Sequence, residues 1–352
     1  MMIREARHND GLALQYIQSQ CIAGNTLKIA TVNSPDFFAR TSAYEDCKVF
    51  VTYEQDKIIG SVACAVLDTV INGNLEKTGY IFQAFVDPEF RGRGIIRRLY
   101  EHCEQFLKNQ GVRMGYGLIL QDNLANRRAV EKAGYEPYEG PRIEYLFTYK
   151  KMPVNHPTKK VRTMTLADID TVCDLLNRMW MGHDLYEPTT RRKLLSDIER
   201  IPGFKLDNIL VLEENGRVVA CAAYWEWSQI TKIRIKSWNT RIKVAAIALD
   251  IARVFRDLPM LTKPGNILKQ WCLINFAFSS IEDFEMLLKH LNNLAVDSRI
   301  DQLCFVGSKE HPAVKELKGF IRLGFNSMLY AKRFDNGISL GNSDLWISGV
   351  GL

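Results

Sequence analysis

Four arginines and two glycines fall between Arg91 and Arg98, inside the stretch VDPEFRGRGIIRRL that runs from Val86 to Leu99. Glycine at 92 and 94 lets successive backbone N–H groups turn into one concavity, and a helix starting there adds the partial positive charge of its first turn. Arg91, Arg93, Arg97 and Arg98 surround that hollow. Hydrogen bonds to a charged group contribute on the order of 1.5–3 kcal/mol each where water is partly excluded. The chemistry favoured is capture of a diphosphate. Neither a GxxxxGK[ST] loop nor the third spaced glycine and downstream acid of a dinucleotide fold is present, so both of those phosphate sites are excluded.

The elements that must position this loop are legible on either side of it. YIFQAFVDP, from Tyr80 to Pro88, is a nearly continuous apolar strand, and Ile95, Leu99, Cys103, Phe106 and Leu107 recur at helical spacing. The loop therefore joins a strand to a helix N-terminus. Further on, DNLANRRAVEKAGYEP places Asn123 and Asn126 at the start of a second helix, which Gly134 ends as a left-handed cap.

Features of the first half recur in the second. IREARHND (Ile3 to Asp10) and VRTMTLAD (Val161 to Asp168) each read as a strand leading into a capped helix. KVFVTYEQDKIIGSVACAVL turns at Gln55-Asp56 and bends at Gly60; ILVLEENGRVVACAAYW turns at Asn215-Gly216, with Ala220 in the place of Gly60. LKGFIRLGFNS reads as an amphipathic helix stopped by Gly324, echoing the helix before Gly134. KKMPVNHPTKK has the composition of a linker. The division expected is a first unit over residues 1–150, a linker over 151–160 and a second unit over 161–352 that carries an insertion near 227–269. The fold class is α/β, with an α+β mixed sheet covered by helices in each half.

At 352 residues the chain fits two ordinary domains, and 47% hydrophobic with 24% charged residues is a globular balance. A net charge of +6 suits a small anionic ligand and does not require nucleic acid. Eight scattered cysteines form no metal-ligand spacing and read as reduced thiols, so no metal is expected. MMIREARHND has no apolar export core, which points to a cytoplasmic protein without a membrane partner. VAAIALDIARVF, from Val244 to Phe255, is too short to span a bilayer and reads as a buried or interface helix.

The strand, glycine loop and helices over most of residues 3–150 resemble the Gcn5-related N-acetyltransferases (GNAT). That family grips the pyrophosphate of acetyl-CoA with a loop of form (Arg/Gln)-x-x-Gly-x-(Gly/Ala); here Arg91, Gly94 and Ile96 stand at those places, Ile96 being a departure. The resemblance implies two tandem GNAT-like acyl-CoA N-acyltransferase folds, with acetyl-CoA as co-substrate and a primary amine of a small molecule, peptide or protein as acceptor. It assigns the pyrophosphate to Arg91, Gly92, Arg93, Gly94, Ile95 and Ile96 and the pantetheine arm to Asn123 and Asn126; a strand edge next to a bulge offers free donors, so polarisation of the thioester is expected from a backbone N–H near Phe85 or Val86.

The catalytic base of many family members falls at Tyr80 or Phe82 and the tyrosine acid at Val130, so the candidates left are Tyr80 and Glu144. The second half has no glycine cradle: SSIEDFEMLLKHLNNL replaces it, with Ser279 and Glu282 as an expected capping box and acids that repel a diphosphate. A CoA-binding regulatory module without turnover and an O-acyl or longer-acyl transferase are the alternative readings.

Overall fold

Each half begins with the same clamp. Arg4 donates both terminal guanidinium nitrogens to Asp10 at 2.7 and 2.9 Å, and Arg162 does the same to Asp168 at 2.7 and 2.9 Å. Asp10 also accepts from the Arg7 amide, as Asp168 does from Thr165. Each carboxylate thus ties a strand to the helix that follows it, and each is held below the usual carboxylate range, first by its arginine.

The computed structural model describes residues 2–24, 27–341 and 344–351. In chain order the first half holds β1 (Met2–Glu5), α1 (Gly11–Gln20), β2 (Ile22–Ala23), β3 (Leu27–Asn33), β4 (Asp46–Glu54), β5 (Lys57–Ile71), β6 (Asn74–Val86), α2 (Ile95–Asn109), β7 (Met114–Leu120), α3 (Leu124–Lys132) and β8 (Glu136–Phe147). The second holds β9 (Lys159–Thr163), α4 (Ile169–Trp180), α5 (Arg191–Arg200), β10 (Ile209–Glu214), β11 (Arg217–Glu226), β12 (Thr231–Trp238), α6 (Thr240–Ala252), β13 (Ile267–Leu268), β14 (Gln270–Phe278), α7 (Ile281–Asp297), β15 (Gln302–Gly307), α8 (Pro312–Lys315) and β16 (Arg322–Arg333).

Both expected hairpins form. Gln55 and Asp56 have φ of 48° and 64°, Asn215 and Gly216 have 49° and 77°, and two consecutive positive φ values give the turn whose twist matches its strands. The same one-residue slip follows each, opposite Gly60 and opposite Ala220.

Twelve strands make one mixed sheet in the order β1-β4-β5-β6-β7-β16-β8-β15-β14-β11-β10-β9. Read from its two ends the order is the same, except that the last strand of each half has crossed to the other. β16 pairs antiparallel with β7, and β8 pairs antiparallel with β15, while β8 and β16 pair with each other in the middle. A smaller sheet, β13-β12-β3-β2, makes a second link between the halves.

Three local expectations are corrected. Gly324 is a residue of β16 and caps no helix: it lies opposite Glu144 in the ladder with β8, beneath the Arg142 guanidinium. α7 is capped by Ser280, whose side chain accepts from the Asp283 amide; Ser279 instead donates to the Val219 carbonyl. α6 is not buried, since Ala246 is its one buried residue.

The aromatic residues of the second half are chiefly packing. Trp180 stacks on His311 and Trp346, with centroids 4.5 and 3.9 Å away, and Asp184 accepts from the amides of Asn72 and Gly341. His311 accepts the Ala313 amide at Nδ1. Burial, with His183 adjacent, pushes His311 down to about 4 from 6.5. The unfolded chain binds that proton more tightly, so this contribution is complete above about pH 6.5 and disappears as pH falls toward 4. Denaturant titrations at about pH 7.5 and pH 5 should differ by about 2 kcal/mol from this group, and His311→Asn, which keeps an acceptor for the cap, should remove that part of the difference.

Candidate active site

A parallel pair of strands that stops pairing part-way is the feature on which the site is built. β6 and β7 are in register only over Thr78–Met114, Gly79–Gly115 and Tyr80–Tyr116, and part beyond. Gly117 sits where they diverge, and a β-carbon there would lie 2.9 Å from the Ile81 carbonyl. The opposite edge of β6 carries a bulge: Ser61 pairs with Phe85 but Ala63 with Phe82, leaving Gln83 at φ 51°. Beyond the bulge the Asp87 amide bonds the Ile59 carbonyl, while the Val86 carbonyl accepts from Cys21 Sγ at 3.4 Å. By antiparallel alternation Val86 thus presents its N–H and C=O away from β5. This is the backbone edge the sequence assigned to the thioester near Phe85 and Val86.

The glycine loop stands at the end of the same strand. Gly92 and Gly94 have φ of 80° and 72°, conformations that only glycine adopts at little cost. Gly94 is the N-cap of α2 and offers no side chain to it, and the first turn of α2 has no acid. The end of this fifteen-residue helix therefore keeps its amides and its positive pole open. Around it, Arg91 reaches Cys21 at 3.6 Å, Arg93 lies 3.5 Å from Glu54 and over the Phe90 ring, and Arg97 pairs with Glu101. Arg98 has no acidic partner among the described residues. Ile95 is buried against Gly60, and the half-buried Ile96 packs on the core beneath α2.

Two cavities flank the parted strands. One of about 90 Å³ is lined by Gln83, Gly117, Asn126, Val130, Tyr135 and Tyr330, among others. Gln83 is 6% exposed, and neither its amide nitrogen nor its oxygen has a partner among the described residues. Asn123 caps α3 by accepting from the Asn126 amide, leaving the Asn126 side chain at the cavity. Tyr330, brought in on β16, is held by Arg127 and Glu131 of α3.

The other cavity, of about 490 Å³, is lined by Tyr80, Tyr116, Asn275 and residues from Trp346 to Gly351, and also by the charged Glu187, Lys193, Asp197 and Arg200. Burial pushes Asp197 up, against the pull of Lys193. Asn275 Oδ1 is buried there with no partner among the described residues.

Of the two sequence candidates for catalysis, Tyr80 lines this larger cavity, and its hydroxyl donates to the Gly351 carbonyl while burial raises its pKa. Glu144 lines neither cavity; it is buried on β8 and paired with Arg142. Gln83 was missed, although a lone amide in the apolar run YIFQAFV is a visible signal.

The second half has the same geometry with its opening filled. β14 and β15 pair over Gln270–Gln302, Trp271–Leu303 and Cys272–Cys304 only. Beyond that point the Phe276 carbonyl accepts from Trp180 Nε1 at 2.6 Å and the Ile274 carbonyl from Ser348 Oγ at 2.9 Å. The N-terminus of α7 is occupied by Ser280 and lined by Glu282 and Asp283, the latter paired with Lys159. No group of three or more potential metal ligands occurs among the described residues.

The fold is that of the GNAT proteins, with the strand order of the first half repeated in the second and the second parted pair filled. Residues 25–135 match the acetyltransferase (GNAT) family, the segment that holds the open cleft. Among solved structures, a GCN5-related N-acetyltransferase from Anabaena variabilis aligns with a TM-score of 0.52 at 14% identity, covering 93% of this chain and 72% of that one. Saccharomyces cerevisiae N-myristoyltransferase with bound myristoyl-CoA aligns with TM-scores of 0.62 and 0.63 in two structures. Identities there are 11% and 10%, with 97% and 98% of this chain and 81% and 89% of those chains covered. No curated protein matches the chain in sequence.

Proposed function

We propose that the protein transfers an acyl group from coenzyme A, acetyl in the first instance, to a primary amine, using the cleft between β6 and β7. In this reading residues 1–150 form the cofactor-binding unit, 151–160 the linker and 161–352 a second unit that shapes the acceptor side. The observation that carries it is the contrast between the halves: one parted strand pair is open beside an uncapped helix end, and the other is filled by Trp180 and Ser348 beside a capped, acidic one.

The diphosphate sits on the amides of Gly92 to Ile96 with Arg91, Arg93 and Arg98 around it. The pantetheine arm runs through the smaller cavity past Asn126 and Gln83, and the thioester lies where β6 and β7 part, polarised by the Val86 N–H. The larger cavity takes the acceptor, with Asn275 Oδ1 open to an amine hydrogen. Tyr80, its hydroxyl given to Gly351, is a wall and anchor there rather than a base. Cytoplasmic location belongs to the same reading.

A longer acyl chain is the second reading, favoured by apolar walls of the larger cavity such as Leu67, Leu75, Leu185, Ile274 and Ile347. Calorimetry with acetyl-, octanoyl- and myristoyl-CoA, followed by free-thiol release over a panel of amines and alcohols, tests both. Saturable binding with amine-dependent thiol release from acetyl-CoA is the expected result. Release only from long-chain donors moves the assignment to the second reading, and binding without release over the whole panel leaves a regulatory module.

Gln83→Leu supplies a sharper check, because it removes two unpaired buried polar atoms at little change in size. Stability should stay the same or rise by about 1 kcal/mol. Affinity for acyl-CoA, or turnover, should fall roughly tenfold for one lost buried hydrogen bond. A merely structural Gln83 would give the stability change with no change in binding.

A further inference from the structure

The insertion between β11 and β14 carries a surface that the acyl-transfer site does not use. On α6 and the turn after it, Val244, Ile247, Ile251, Val254 and Phe255 are 61–82% exposed. Their spacing places them on one stripe of the helix, while Ala246, with the half-buried Ile242 and Leu249, faces the protein. A row of large apolar side chains facing outward on one helix marks a surface with a partner.

The same segment holds the positive charge of the molecule. Residues 227–269 contain nine Lys and Arg against two Asp, whereas the whole chain has a net charge of +6, so the rest of the protein is slightly acidic. All nine are exposed. Arg253 pairs with Asp250; the other eight have no acidic partner among the described residues. Lys232, Arg234 and Lys236 alternate along the exposed face of β12, and Arg241 and Lys243 open α6.

We infer that this insertion docks the protein on an anionic membrane surface, with the α6 stripe entering the headgroup layer and the lysines and arginines meeting lipid phosphates or carboxylates. An apolar stripe bordered by unneutralised basic residues is the composition of a helix that lies in the plane of a bilayer. Each basic group close to an anionic surface adds attraction that salt weakens. A second copy of the chain is the less favourable occupant: a two-fold contact across the stripe would bring two sets of uncompensated positive charges together. No described helix is long and apolar enough to cross a membrane, so the attachment is peripheral. This inference departs from the expectation of a protein without a membrane partner, and it stands independently of the acyl-transfer reading.

The test is flotation of the full chain with vesicles of neutral phosphatidylcholine and with vesicles containing about 30 mol% phosphatidylglycerol. Wild-type protein should float with the anionic vesicles, at least roughly tenfold more strongly than with neutral ones, and be released largely by high salt. Ile251→Glu with Phe255→Glu should lose that partition while keeping the wild-type melting temperature and acyl-CoA affinity; both residues are already in water, so the variant folds. Equal flotation with both vesicle types, or none with either, overturns the inference. So does a wild-type dimer in sedimentation that the double variant converts to monomer without any vesicle binding, which would assign the stripe to self-association. Tight binding of oligonucleotides in the absence of vesicle binding would assign the charges to nucleic acid and overturn it likewise.

Discussion

Replacing Gly94 with glutamate is expected to weaken acyl-CoA binding by at least about 100-fold, read by calorimetry on the full chain. Two effects act together. The side chain puts a carboxylate at the N-cap of α2, where the first turn has no acid and the helix end is otherwise open. It also occupies a residue held at φ 72°. Adapting a non-glycine residue to that conformation costs about 1–2 kcal/mol, which a melting experiment would register but which leaves the fold intact. Nothing lies within 4 Å of a β-carbon at this position, so steric collapse is not part of the effect. Gly94→Asn is the control: asparagine tolerates the left-handed region and brings no charge, so it should retain most of the affinity. Glu282→Ala, at the corresponding helix of the second half, should leave binding unchanged. Equal losses from Gly94→Glu and Glu282→Ala would contradict the assignment of the cofactor to the first half.

The second large effect is on stability. Lys332, on β16 of the second half, places Nζ 2.8 Å from both carboxylate oxygens of Glu104 on α2 and 2.9 Å from the Ala133 carbonyl. Glu104 is buried. Lys332→Met would leave that carboxylate in the core without its counter-charge, and such an unpaired buried charge costs about 3 kcal/mol. The denaturation midpoint should fall accordingly. Adding Glu104→Leu should restore most of the loss, since replacing both members of a buried pair by apolar groups is close to neutral. If the double variant is no better than Lys332→Met, the ion pair is not what secures β16 against α2.

The glycine loop was legible because everything that defines it is local: a strand, two glycines with positive φ and a helix follow one another within one stretch of chain. The repeat was legible for the same reason, in the strand-to-helix starts at Ile3–Asp10 and Val161–Asp168 and in the paired hairpins, whereas the Arg4–Asp10 and Arg162–Asp168 clamps within those starts emerged only in the structure. The exchange of β8 and β16 was not. Which neighbour each accepts is decided by pairing between residues far apart in the chain, more than 200 positions for Tyr330 and Gly117, and nothing in either strand's own alternation specifies it. LKGFIRLGFNS misled because its apolar spacing fits a helix as well as a strand, and the ladder opposite Glu144 settled the matter. The two halves' difference in cleft occupancy was half visible: the missing glycine cradle could be read, but the plug of Trp180 and Ser348 needed the fold. Of the two readings of α6, buried or interface, only burial fails, because apolar composition means burial only where another element covers the helix.

Synthesis of this chain on the ribosome has to cope with the crossing of its final strands. When the last residue of β8 has been added, the strand that will lie between β7 and β8 is still roughly 175 codons from being translated, a delay of about 9–35 s at ordinary elongation speeds. Through that interval one border of β7 and both borders of β8 are bare and open to mispairing, so a nascent first half should be a preferred client of the chaperones that shield such borders, and cutting the gene between the halves should yield fragments that become soluble only when produced together.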